Sequence, residues 1–76
     1  YPEAEAAYRA ALKADPKNVV ALNNLAWILA PDPNHAAEAA GLVAKAVAEV
    51  GLTGELLDTR ARIRIADGKL RLAEQD

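Results

Sequence analysis

Residues 1–16, YPEAEAAYRAALKADP, set Ala4, Ala7, Tyr8, Ala11 and Leu12 along one side of a helix and then stop it. Spacings of three and four residues match the helical period, so the segment reads as an amphipathic helix. Asp15-Pro16 ends the run, because proline disfavours helical geometry in the residue before it. Asn18 is the expected N-cap of a second helix, whose apolar stripe is Val19, Leu22, Leu25, Ala26 and Leu29. Residues 31–34, PDPN, form the strongest break in the chain. Asp32 is the expected cap of a third helix, with Pro33 pre-set for its first turn.

The third helix is expected to reach about residue 50, with Ala36, Ala39, Ala40, Val43, Ala46 and Val47 facing inward. Residues 51–54, GLTG, make the next turn, with Thr53 as cap. A fourth helix is expected over 55–66, ended at Asp67-Gly68 because glycine favours the left-handed turn that closes helices. Residues 69–76 then open a fifth. Within the fourth segment, residues 59–65, TRARIRI, alternate polar and apolar in the manner of a strand. A lone strand among helices has no pairing partner, and helix is the expectation here.

Sliding the chain on itself by 35 residues brings Ala4 onto Ala39, Ala11 onto Ala46, Leu12 onto Val47, Leu22 onto Leu57 and Ala26 onto Ala61. Ala39 meets Ala73 at an offset of 34. Two helices per period of this length mark a helical solenoid. In these residues the chain resembles the tetratricopeptide repeat, whose pattern runs W-x₂-L-G-x₂-Y, A-x₃-F, P. Ala4 and Tyr8 match the A-x₃-F pair and Pro16 the closing proline. Leu22, Leu25, Ala26 and Leu29 resemble the following first helix, with alanine for the small glycine. Ala39 and Val43 match its second helix, and a third unit opens at Leu57 and Ala61. Arg60 and Arg64 stand where the family usually has Leu and Tyr, and Gly51-Leu52 where it has a closing proline.

The resemblance implies an all-α fold of antiparallel helix-turn-helix repeats, a solenoid of about five helices in a single domain over 1–76. In that division, 1–18 is the second helix of one repeat, 19–53 a full repeat and 54–76 a partial one. Tight crossings are expected where small residues meet, Ala26 with Ala39 and Ala61 with Ala73. Apolar faces around Tyr8, Leu12 and Leu70 are expected to be exposed and to favour self-association, because about three repeats are usually needed for stability.

Composition agrees with thin helical layers. Hydrophobic residues make up 53% of the 76, yet many are alanine, and Tyr1, Tyr8 and Trp27 are the only aromatics. Alanine favours helix but contributes little apolar area. The net charge of −2 gives no reason to expect nucleic acid. No apolar run approaches the roughly 20 residues of a membrane span. Cysteine is absent, which excludes disulfides and thiolate metal sites and leaves the compartment unknown, with the cytoplasm as the default expectation. The absence of methionine suggests a processed chain or a fragment.

No chemistry assembles. His35 is the single histidine and has no second ligand at metal spacing, so neither a metal nor another cofactor is expected. Glu3 and Glu5 suit the positive end of a helix dipole rather than acid–base work. Gly51 and Gly54 make neither a phosphate loop nor a dinucleotide fingerprint. No catalytic residue is expected.

What the resemblance implies is binding of a protein or peptide partner in a concave groove lined by the first helix of each repeat. Asn23, Trp27 and Ala30 on one such helix, and Asp58, Arg62 and Ile65 on the next, are the expected lining. Trp27 either anchors a partner or packs on a neighbouring helix; Trp and Arg are both enriched at interface hot spots. Some family members clamp a peptide's terminal carboxylate with Lys, Asn and Arg. Here only Arg62 fits, since Asp58 stands in the lysine's place and Trp27 in the asparagine's, so that ligand class is not expected. Arg60 and Arg64 offer a basic patch that Asp58, Asp67 and Glu74 offset. Two other roles remain open at this point: a segment that stacks on further repeats or on another copy, and an accessory region of a larger enzyme.

Overall fold

The computed structural model describes residues 2–75, with side chains described for 2–68. Four helices follow one another: α1 (Pro2–Ala14), α2 (Val19–Leu29), α3 (Ala36–Val50) and α4 (Gly54–Gln75). No strand occurs among the described residues, and the alternating segment 59–65 is helical as expected.

The turns are built by short polar side chains. Asp15 accepts the Lys17 backbone N–H at 3.1 Å and so shapes the bend after α1. Asn18 caps α2 as expected, its Oδ1 accepting the Ala21 N–H at 3.1 Å. Thr53 Oγ1 accepts the Leu56 N–H at 3.2 Å at the head of α4. Asp32 departs from expectation. Its Oδ1 accepts the Asn34 N–H at 2.9 Å and its Oδ2 lies 2.8 Å from His35 Nδ1, so both oxygens are spent inside the turn. α3 starts only at Ala36, behind His35, which makes no side-chain cap.

α2 is the central helix, burying Ala21, Leu22, Leu25, Ala26 and Leu29. It packs against α1, α3 and α4. Ala26 and Ala39 are both 0% exposed, which confirms the expected close crossing of α2 and α3. Val43 and Ala46 continue the α3 side of the core. Tyr8 and Leu12 pack half-buried against this core, rather than standing exposed as expected. Ala40, expected inward, is exposed.

α4 brings two corrections. It runs through Asp67-Gly68 as one helix, so there are four helices rather than about five. Glycine costs a helix interior only about 1 kcal/mol relative to alanine, too little to break one by itself. The register is also one residue from the 35-residue alignment. Leu56, Thr59 and Ile63 are buried, whereas Leu57 is 49% exposed and Ala61 is exposed. Leu56 and Ile63 therefore take the places of Leu22 and Leu29 at an offset of 34, and Arg60 takes the place of Ala26. An arginine there rules out a tight alanine crossing at this point of α4. The expected partner of Ala61 in that crossing, Ala73, and Leu70, expected to be exposed, lie outside the described side chains, as does Tyr1.

Candidate protein-binding surface

Of the six residues singled out for binding, five gather on the outer side of α2 and α4. The Arg62 guanidinium sits over the Trp27 ring, 4.3 Å from its centroid. Arg62 Nε also donates to the Trp27 backbone carbonyl at 3.0 Å. The carbonyls of the last helical turn have no partner within the helix, so α2 offers acceptors here by construction. The cation–π contact and the hydrogen bond together fix the Arg62 side chain across the α2–α4 seam. Trp27 remains 44% exposed, one broad face open to solvent.

This Trp27–Arg62 ridge separates two clefts. On one side, Pro31, Pro33, Ile65 and Ala66 surround an apolar cleft of about 410 Å³ that Arg62 borders. Ile65 is 61% exposed at its edge. Ala30 forms its floor, and at 1% exposure it belongs to the core beneath the surface rather than to the surface itself. On the other side, Asn23, Asn24, Trp27, Glu55 and Asp58 line a more polar hollow of about 290 Å³.

Asn23 is tied down. Thr59 Oγ1 lies 2.5 Å from Asn23 Oδ1 and 3.1 Å from the Glu55 carbonyl. One hydroxyl proton serves one acceptor at a time. The hydroxyl donates to Asn23 Oδ1, the shorter contact and one of O–H···O length, and the Glu55 carbonyl stands by as the alternative acceptor. Asn23 thus links α2 to α4 and has part of its hydrogen-bonding capacity left for solvent or a ligand. Thr59 is 1% exposed and was not singled out in the sequence, where its neighbours suggested a strand.

Elsewhere on the surface, Arg9 makes a forked ion pair with Glu38, Nη1 to Oε2 at 2.7 Å and Nη2 to Oε1 at 3.1 Å, joining α1 to α3. Glu5 adds a longer contact to Arg9 at 3.4 Å. The Arg9 hydrogen bonds hold the Glu38 carboxyl below its ordinary range and raise Arg9. Asp32 is also lowered, first by the Asn34 backbone N–H and then by His35. These are structural pairs. Among the described residues no three His, Cys, Asp or Glu side chains cluster as metal ligands, and no helix is long and apolar enough to cross a membrane.

Comparison with curated proteins finds no match, and neither does comparison with solved structures. The family model of the tetratricopeptide repeat matches residues 7–48, which takes in most of α1, the whole of α2 and nearly all of α3. That span is more than half of the chain and holds the Ala26–Ala39 crossing that the repeat pattern requires. The chain belongs to the tetratricopeptide repeat family.

Proposed function

We propose that the chain binds a protein partner through the face formed by α2 and α4, with the Trp27–Arg62 ridge as its anchor. Tetratricopeptide repeats generally mediate protein–protein interaction and typically act as non-enzymatic scaffolds. The observation that carries the site is the ridge itself: an aromatic face 44% exposed, backed by an immobilised arginine and flanked by an apolar cleft. Side chains already ordered in the free protein lose little entropy on binding, which favours affinity. The apolar cleft suits a hydrophobic side chain of the partner. The Arg62 terminal nitrogens suit an oxygen of the partner's backbone or of an acidic side chain.

Panning a random-peptide library on the 76-residue chain tests this. Selected peptides should lose at least about tenfold in affinity on Trp27→Ala and on Ile65→Ser, in line with truncation of an interface hot spot. Lys13→Ala, on the far side of α1, should leave affinity unchanged. Peptides that bind all three variants equally well would remove the α2–α4 face from consideration.

A further inference from the structure

A second surface lies between α3 and α4, on the opposite flank of α4 from the ridge. Ala40, Ala44 and Val47 of α3 with Arg60, Ile63 and Arg64 of α4 enclose an apolar groove of about 410 Å³. Arg60 has its Nε buried there with no hydrogen-bond partner among the described residues. Arg64 is exposed and has no ion pair among the described residues. α4 continues as one helix to Gln75, so the segment after Gly68 does not fold back over this groove.

The packing of α3 on α1 and α2 shows what fits. α3 reaches α2 through Ala39 and Ala46, and reaches α1 through the Glu38–Arg9 pair and Leu42. One repeat later, α3 and α4 stand as α1 and α2 do: Ala44 and Val47 replace Arg9 and Leu12, while Arg60 and Arg64 replace Ala26 and Ala30. The helix in this chain with the matching pattern is α1. Thirty-five positions before Glu38, Ala39, Leu42 and Ala46, it carries Glu3, Ala4, Ala7 and Ala11. On its side turned away from α2, Glu3, Ala6, Ala7 and Ala10 are exposed.

Size and charge both complement. Where α2 offers the small Ala26 and Ala30 to Ala39 and Val43 of α3, α4 offers the long Arg60 and Arg64, and α1 sets Ala7 where α3 has the larger Leu42. Arginine stems can lie along an alanine face while their heads reach a carboxylate at its edge. Glu3, with no partner among the described residues, supplies that carboxylate. We propose that α1 of a second copy docks its Glu3–Ala7 face into the α3–α4 groove, so that copies stack head to tail. The two surfaces differ, so the contact is heterologous and repeats from copy to copy instead of closing as a dimer.

Sedimentation equilibrium of the 76-residue chain over rising concentration tests this. The weight-average mass should climb from that of one chain with no plateau at two. Arg60→Glu/Arg64→Glu and, separately, Glu3→Lys should each shift association to concentrations at least about tenfold higher, because like charges then face each other. An equimolar mixture of the two variants should associate again, since each supplies the surface the other lacks. A merely misfolded variant would not be rescued this way. A wild-type chain that stays monomeric would overturn the proposal and leave the groove to another occupant, such as another protein's helix. A plateau at two copies, or variants that associate as the wild type does, would also overturn it.

Discussion

Ala26 and Ala39 show how single residues set this architecture. Both are fully buried where α2 and α3 cross, and neither leaves room for a longer side chain. Ala26→Phe should therefore overpack the crossing and lower stability by about 1–3 kcal/mol, read as a fall in the midpoint of thermal unfolding. An unchanged midpoint would mean that the two helices are not in contact there. Alanine at this position was legible in the sequence because it stands beside Leu22 and Leu25, where the repeat pattern has its small residue. Thr59 was not. Its burial depends on a hydrogen bond to Asn23, 36 positions away, and no local pattern announces a contact of that range. The stack of Arg62 on Trp27 is similar in kind, since the sequence marks both residues as surface candidates but contains nothing about their mutual distance.

At the scale of the helix, two glycines make opposite predictions. Gly51 follows α3 with φ 81° and ψ 178°, a conformation nearly closed to residues with a side chain. Gly51→Ala should destabilise by about 1–3 kcal/mol, though a Cβ there would touch nothing. Gly68 lies inside α4 with ordinary helical geometry and open space around it. Gly68→Ala should raise stability by up to about 1 kcal/mol, because alanine is the better helix former. Were the chain to turn at Asp67-Gly68, the same substitution would be strained and the sign would reverse. Thermal melts of the two variants decide between a long α4 and a broken one. The sequence signal at Asp67-Gly68 misled because glycine is a permissive stop, not an obligatory one; no proline follows it, unlike the breaks after α1 and α2. The one-residue slip of α4 has a related cause. Leu56 and Leu57 are adjacent leucines, and only burial against Leu22 and Ala46 selects the first.

Across the whole molecule, burial declines from α2 outward to α1. α1 contributes no fully buried residue, and its half-buried Tyr8 and Leu12 hold it to the core. The Arg9–Glu38 fork is its polar tie to α3, with both side chains about two-fifths exposed. Exposed pairs of this kind contribute roughly 0.2–1 kcal/mol, the bidentate geometry favouring the upper part of that range. Because Glu38 is lowered by the Arg9 hydrogen bonds, it binds its proton more readily unfolded than folded. Its contribution is complete above the unfolded carboxylate value, about 4.3, and is lost as pH falls through the lower folded value. Asp32, held down by the Asn34 N–H and by His35, adds to the same trend. Comparing the wild type with Glu38→Gln isolates the first effect. The variant should unfold at lower temperature at pH 6, by an amount corresponding to at most about 1 kcal/mol, and the gap should close as the pH drops below about 4. Hydrogen exchange should show the loss concentrated in the amides of α1, the helix the fork secures. A gap that persists unchanged into acid would mean that Glu38 acts through packing alone and that the Tyr8–Leu12 contact carries α1 by itself.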